Sequence, residues 1–272
     1  MDILTPQILL LTLFFGAAAG FLAGLLGIGG GVILVPLFLW LFPLAGFPPE
    51  LVVHSAFGTS LAIILPTAVS STLGHRKRGN VNWRMVMFLA LGGILGAAVG
   101  STLAALISGA ILKICFGLML IAISLKLLFY RDTYLPPEDL QRARRRHLFA
   151  VGCVGGGFSA FFGIGGGIIT VPLLLILLHQ PIRLAVGNSS ALIVVSSAAA
   201  VAGYIWHGLQ QPVAVPFSLG YVNYLVVFLV APVTMICARL GVKSAARFSQ
   251  TRLIRTFAIV LMLIGAKIVL GQ

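Results

Sequence analysis

Long apolar stretches alternate with short polar connections along almost the whole chain, and most of them have the length typical of a membrane helix. In the first half they predict helices at about 7–26, 51–73, 83–107 and 111–130, with a shorter one of about 13 residues that ends at Phe42. The second half repeats this order at about 147–162, 168–179, 185–206, 218–238 and 254–271. The pattern therefore predicts an all-α polytopic membrane protein of about ten transmembrane or half-spanning helices.

The same glycine-rich motif occurs once in each half of this series. Residues 27–37 (GIGGGVILVPL) match residues 163–173 (GIGGGIITVPL) at nine of eleven positions, including the prolines Pro36 and Pro172. A repeat of this kind predicts two copies of one unit. We assign residues 1–130 to the first repeat, 131–146 to a cytoplasmic loop and 147–272 to the second repeat.

The overall composition fits this pattern and excludes most soluble classes. Hydrophobic residues make up 60% of the chain, charged residues 8%, and the mean hydropathy is +1.12. About ten segments with short loops leave no space for a separate catalytic or nucleic-acid-binding domain. We therefore expect the lipid bilayer as a partner and no nucleic acid, in spite of the formal charge of +13.

The basic residues lie mainly in three clusters between or after the apolar stretches. These clusters fall at residues 76–78, 142–146 and 239–255. By the positive-inside rule all three should be cytoplasmic. One topology satisfies all of them, and it places both termini outside. Because each half has five segments, an odd number, the second repeat must then be inverted relative to the first, with helices broken at the glycine runs.

The glycine runs carry the candidate chemistry. A glycine run within hydrocarbon exposes backbone groups that lipid cannot satisfy, so each run should line a cavity. The residues concerned are Gly29, Gly30, Gly31, Gly165, Gly166 and Gly167. Each run precedes a helix, whose positive dipole end would lie there. Two such ends near the midplane predict a binding pocket for a small anion.

Polar side chains in the following helices could complete such a pocket. Thr59 and Ser60 follow Gly58, and Asn188 and Ser189 follow Gly187. Hydroxyl and amide groups can donate hydrogen bonds to the oxygens of an oxyanion. None of the five acidic residues lies inside a predicted segment, whereas a cation carrier normally needs an intramembrane carboxylate. We therefore expect a small anionic substrate.

Simpler interpretations remain open for several of these features. The glycine runs could be helix-packing sites, which is how we interpret the stripes Gly16/Gly20/Gly24 and Gly92/Gly96/Gly100. The serine and threonine hydroxyls could bond to carbonyls of their own helix. An intramembrane enzyme lacks its residues, because GxSxG and HExxH motifs and buried carboxylate pairs do not occur. A passive anion channel that uses backbone dipoles is not separated from a carrier by the sequence.

The duplicated GIGGG with its following proline, the GTS element one helix later and the basic hairpin after it resemble the sulfite exporter TauE/SafE family of bacterial membrane proteins. The resemblance covers essentially the whole chain. It implies a transporter of sulfite, sulfoacetate or related organosulfonates in the cytoplasmic (inner) membrane. We expect alternating access, no catalytic residue, no cofactor and no metal site, since the three cysteines show no CxxC spacing. The sequence leaves a homodimer open.

Overall fold

The computed structural model describes residues 6–27, 29–128, 144–213, 215–244 and 250–270. Ten helices and one short hairpin lie within these ranges. The helices are α1 (Pro6–Leu26), α2 (Gly31–Leu44), α3 (Pro49–Arg76), α4 (Trp83–Leu106), α5 (Gly109–Leu128), α6 (Arg145–Phe162), α7 (Gly167–Ile176), α8 (Ile182–Leu209), α9 (Tyr224–Ser244) and α10 (Gln250–Leu270). Six of them, α1, α3, α4, α5, α8 and α9, contain stretches long and apolar enough to cross a membrane. The predicted all-α class of a multi-pass membrane protein is confirmed.

Two boundaries differ from the prediction. The segment predicted at about 218–238 begins instead with a hairpin, in which strand β1 (Ser218–Leu219) pairs antiparallel with β2 (Val222–Asn223). The turn at Gly220, whose φ is 58°, reverses the chain before α9 starts, and hydropathy carries no signal for it. The helix predicted at about 147–162 begins two residues earlier, at Arg145, and the predicted loop at 131–146 falls mostly on residues 129–143, which lie outside the described residues.

The two glycine stripes are packing surfaces, as the sequence predicts. Along α1, a methyl group on Gly20 or Gly24 would collide with backbone atoms of Thr234 or Ala238 in α9. Along α4, Gly92 and Gly96 face backbone atoms of Phe149 and Cys153 in α6 in the same way. Without side chains at these positions, the helix backbones approach closely, as small-residue stripes in membrane helices allow.

We expect that Gly96→Leu will destabilise the protein, whereas Ala98→Leu on the same helix will not. The leucine at position 96 has no space, because even a methyl group would overlap the Cys153 carbonyl, whereas Ala98 is exposed on the outer face of α4. Overpacking costs about 1–3 kcal/mol or more. Thermal unfolding in detergent should show a clear drop in midpoint for Gly96→Leu, and equal midpoints for the two variants would contradict this packing.

The main helix pairs each join one helix of the first half to one helix of the second half. The first helix of each half packs on the fourth helix of the other, so that α1 lies on α9 and α6 on α4. The third helices α3 and α8 pack on each other, as do the fifth helices α5 and α10. In the apolar stretches of α3 and α8, 78% and 67% of the residues are buried, a larger share than in the other candidate membrane spans. These two helices therefore form the centre of the protein.

Basic segments from different parts of the chain meet at one end of this bundle. The Arg78 guanidinium donates a hydrogen bond to the Val242 carbonyl near the end of α9. The Arg145 guanidinium lies 5.4 Å from the centre of the Phe88 ring near the start of α4. Gly187, near the start of α8, packs on the backbone of Asn80. The connection from α3 to α4 therefore lies beside the end of α9 and the starts of α6 and α8.

Candidate functional site

The glycine runs have the same backbone conformation in both halves. The first run joins α1 to α2, and φ is 67° at Gly27, 89° at Gly29 and 79° at Gly30. The second run joins α6 to α7, and the equivalent angles are 70° at Gly163, 85° at Gly165 and 72° at Gly166. Residues with side chains adopt such angles at a cost of about 1–2 kcal/mol each. The repeated glycines are therefore required by the conformation of each connection.

The two runs are buried and pack directly against each other. A methyl group on Gly29 would lie 2.9 Å from the carbonyl oxygen of Ile164 and 3.2 Å from Cα of Gly165. A methyl group on Gly31 would lie 2.6 Å from the carbonyl oxygen of Gly163. The expected hollow between the runs is therefore closed in this conformation, and an anion can enter there only if the two backbones separate.

Helix N-termini start at both runs. Gly30 and Gly166 are the N-terminal caps of α2 and α7, and their carbonyls accept the amides of Leu34 and Thr170. The first N–H groups of a helix have no acceptor within it, and they carry the positive end of the helix dipole. The amides at Gly31 and Gly167 thus belong to two positive helix ends that lie next to each other.

Each run is held by a serine from the opposite half. The Ser60 hydroxyl in α3 donates a 2.8 Å hydrogen bond to the Gly163 carbonyl. The Ser189 hydroxyl in α8 donates to the Gly27 carbonyl at 3.4 Å. Ser60 and Ser189 are equivalent in the repeat, and so are Gly163 and Gly27, so the two bonds form a reciprocal pair. Donation to an anion by either hydroxyl would require that its bond to the carbonyl opens.

Thr59 and Asn188, the residues just before these serines, hold the start of a helix in the opposite half. The Thr59 hydroxyl oxygen accepts the N–H of Asn223 at 3.0 Å, and the Asn188 amide oxygen accepts the N–H of Asn82 at 2.8 Å. The amide nitrogen of Asn188 donates to Gln180 at 3.1 Å. In this conformation Asn188 thus supports the backbone rather than an open pocket.

A second duplicated motif, which the sequence reading overlooked, receives these bonds. Residues 79–83 (GNVNW) and 220–224 (GYVNY) share the pattern Gly-x-Val-Asn-aromatic. In both copies the asparagine caps the following helix, because Asn82 accepts the amide of Met85 and Asn223 accepts the amide of Val226. The signal was available in the repeat itself, since the motif precedes the fourth helix of each half.

We expect that Asn188→Leu will lower stability. The substitution leaves the Asn82 N–H and the Gln180 side chain without their partner, at a cost of about 1–3 kcal/mol for each buried group left unpaired. Thermal unfolding in detergent should show a midpoint several degrees lower than wild type. Gln211→Leu, at an exposed position after α8, is the matched control and should unfold like wild type. A wild-type midpoint for Asn188→Leu would contradict this supporting role.

The described residues offer little for cation or metal chemistry. Glu50 is the one acidic residue among them, and it is exposed in the first turn of α3. No group of three or more His, Cys, Asp or Glu side chains in this part of the chain could hold a metal ion. The site therefore consists of backbone amides and neutral polar side chains.

Comparison with known proteins identifies a family and a set of relatives. The family model described as sulfite exporter TauE/SafE matches residues 12–268. A probable membrane transporter protein of Xylella fastidiosa (strain 9a5c) is 31% identical over 98% of this chain and 97% of its own length. A probable membrane transporter protein of Haemophilus influenzae is 29% identical over 94% and 96%, and the probable membrane transporter protein YunE of Bacillus subtilis is 27% identical over 93% and 94%.

Proposed function

Because the chain belongs to the sulfite exporter TauE/SafE family, we propose that it is a secondary transporter of small sulfur-containing anions across the bacterial cytoplasmic membrane. The substrates would be sulfite, sulfoacetate or related organosulfonates. The relatives carry the names of membrane transporters rather than enzymes, which agrees with transport as the activity.

The anion would bind at the two glycine runs. Its ligands would be main-chain amides of Gly29, Gly30 and Gly31 and of their counterparts Gly165, Gly166 and Gly167. The support is that two helix N-termini lie side by side in a buried place, because oriented amides and helix dipoles stabilise an anion without a fixed positive side chain. Such a site needs no buried lysine or arginine, whose burial in the membrane would be costly.

Residues 1–130 and 147–272 would be inverted repeats that move against each other. The exchanged helix pairs, α1 on α9 and α6 on α4, are what a two-fold relation between the halves requires. The contact between Gly29 and Gly165 would open during the cycle, and the bonds of Ser60 and Ser189 to the opposite run would break and re-form. The observation that carries the proposal is this direct contact between two buried glycine runs, each held by a serine of the other half.

The orientation would follow the positive charges. The basic connection after α3, the end of α9 and the starts of α6 and α8 meet at one end of the bundle, and by the positive-inside rule that end would be cytoplasmic. Both termini would then lie outside. The one carboxylate of the described residues, that of Glu50, lies at the opposite end of α3 from this basic end and outside the bundle centre. It would therefore not repel an anion bound at the centre.

Counterflow in proteoliposomes tests the proposal. Vesicles containing purified protein are loaded with unlabelled sulfite, sulfoacetate, sulfate or chloride, and uptake of labelled sulfite is followed. A carrier should accumulate label transiently when sulfite or an organosulfonate is inside, and much less with chloride inside. Absence of any exchange of sulfur anions would overturn the proposal. Sulfite conductance without stimulation from the opposite side would indicate a passive channel instead.

A further inference from the structure

The two halves share their contacts but differ chemically beside one glycine run. Aligning Gly58 with Gly187 superimposes α3 on α8 in sequence. The polar residues Ser190, Ser71, Thr72 and His75 then correspond to Leu61, Ala200, Val201 and Tyr204. Three positions that carry hydroxyl groups on one side of the protein are thus aliphatic on the other.

These polar side chains form a continuous series that starts at the first glycine run. Ser189 donates to the Gly27 carbonyl, and the next residue, Ser190, shares a 3.2 Å hydrogen bond with Ser71 in α3. One helical turn further along α3, Nε2 of His75 lies 3.4 Å from the Gly24 carbonyl in α1. The series therefore follows the space between α1, α3 and α8 toward the basic end of the bundle.

Two atoms of this series have no hydrogen-bond partner among the described residues. They are the hydroxyl oxygen of Thr72 and Nδ1 of His75, whose side chains are 6% and 4% exposed. Thr72 and His75 are three residues apart on one helix and are therefore neighbours on its surface. Among the described residues, His54, Ser159 and Ser197 also have a buried atom without a partner. Such groups are costly, so a ligand that supplies a partner would be stabilised. The Thr72 hydroxyl can donate to an anion, whereas Nδ1 of His75 is an acceptor while Nε2 donates to the Gly24 carbonyl.

The equivalent place in the other half keeps the structural bond, and the residues that correspond to Ser71, Thr72 and Ser190 have no hydroxyl group there, although Ser159 and Ser197 of that half also have buried hydroxyls without a partner among the described residues. The Tyr204 hydroxyl donates a 2.9 Å bond to the carbonyl of Ala160, which is the counterpart of Gly24. Leu61 and Ala200 are fully buried beside it. Support of the α1 and α6 carbonyls by α3 and α8 is therefore common to both halves, whereas the hydroxyl groups at the positions of Ser71, Thr72 and Ser190 occur in one half.

Positive charge surrounds the end of the series. The guanidinium of Arg78 lies on the Val242 carbonyl, one turn beyond His75, and Nε of Arg239 donates to the Ser70 hydroxyl at 3.1 Å. Arg76 and Lys77 are exposed beside them. Cations beside a series of polar groups attract anions and raise their local concentration.

We propose that the hydroxyl groups of Ser71, Thr72 and Ser190 form a second oxyanion subsite between the basic end and the glycine runs, beside the His75 ring that contacts the Gly24 carbonyl. This inference rests on the proposed transport function and assigns a role to residues outside the main site. The transported anion would accept hydrogen bonds from the neutral hydroxyl groups of these serines and of Thr72 before it reaches the amides of the glycine runs. Neutral donors bind an anion weakly enough to release it, which transport requires.

The test replaces Thr72 and Ser71 with the residues that the other half carries. Thr72→Val and Ser71→Ala are each expected to raise the KM for sulfite about tenfold, the effect of one lost hydrogen bond to a charged group. The rise should appear for sulfite presented to the cytoplasmic face and not for the opposite face, in vesicles of defined orientation. Val201→Thr is the mirrored control, and Ser124→Ala removes a buried hydroxyl that bonds to Ala258 between α5 and α10. Both controls should transport like wild type.

The outcomes separate this subsite from the transport function itself. Wild-type KM values on both faces for Thr72→Val and Ser71→Ala, in a protein that transports sulfite, would overturn the subsite alone. An equal rise on both faces would also overturn it, because the series lies on one side of the runs. Protection of the purified protein against thermal unfolding by sulfite gives a second readout. If wild type neither transports sulfite nor is stabilised by it, the transport function and the subsite both fail.

Discussion

Replacing Gly29 or Gly165 with alanine is expected to abolish sulfite transport. A methyl group on Gly29 would lie 2.9 Å from the Ile164 carbonyl oxygen, and one on Gly165 would lie 3.3 Å from Cα of Gly29 and 3.1 Å from Ile64. The backbone angle φ is 89° at Gly29 and 85° at Gly165, and a side chain at such an angle adds about 1–2 kcal/mol of strain. Together with overpacking of about 1–3 kcal/mol, each variant should lose about 2–5 kcal/mol of stability. Counterflow and thermal unfolding in detergent measure the two effects.

Gly46→Ala provides the matched control for this experiment. Its φ of 78° imposes similar backbone strain, but nothing lies within 4 Å of the added methyl group. The control should therefore lose about 1–2 kcal/mol of stability and keep its transport rate. If Gly29→Ala or Gly165→Ala exchanged sulfite as well as Gly46→Ala does, contact between the runs would have no role in transport.

The helical segments could be predicted because their signal is local. Hydropathy alone placed the fourth helix at about 83–107, and α4 runs from Trp83 to Leu106. It placed the sixth at about 147–162, and α6 ends at Phe162. In a bilayer every unpaired backbone group is costly, so a long apolar stretch has few alternatives to a helix. The hairpin at β1 and β2 lacks that signal, because its two short strands depend on one glycine turn.

Partners across the bundle could not be predicted in the same way. The pattern of hydroxyl groups after Gly58 and Gly187 pointed to hydrogen-bond donors, but not to their acceptors. Ser60 donates to a carbonyl 103 residues away, and Ser189 donates to one 162 residues away. One sequence carries no information on such distances, and a serine that binds a glycine carbonyl looks the same as one that binds an anion.

The role of Thr59 and Asn188 shows how a duplicated sequence can recover part of this information. Their partners Asn223 and Asn82 belong to the second repeated motif, so the same contact occurs twice: the backbone N–H of an asparagine donates to a side-chain oxygen, of threonine in one copy and of asparagine in the other. A contact that is kept while threonine replaces asparagine depends on the acceptor oxygen that both provide. Both halves therefore keep this support of the backbone. They differ in sequence where Thr72 and His75 of the first half correspond to Val201 and Tyr204 of the second.

Deletion of the two serine hydroxyls should have unequal effects on transport. Ser60→Ala removes a 2.8 Å bond to the Gly163 carbonyl, whereas Ser189→Ala removes a longer and weaker one of 3.4 Å to the Gly27 carbonyl. A buried carbonyl left without its donor costs about 1–3 kcal/mol. We therefore expect the sulfite exchange rate to fall about tenfold or more in Ser60→Ala and about threefold in Ser189→Ala, with near-complete loss in the double variant.

Ser196→Ala is the matched control for these serines, because its hydroxyl contacts the Ile193 carbonyl of its own helix α8 at 3.4 Å and no glycine run. It should exchange sulfite at the wild-type rate. The reciprocal bonds matter to transport only if they hold the two runs together in the closed conformation. An order in which Ser189→Ala is more harmful than Ser60→Ala, or a double variant no worse than Ser196→Ala, would show that the runs are held by backbone contact alone and that the serines are dispensable for the transport cycle.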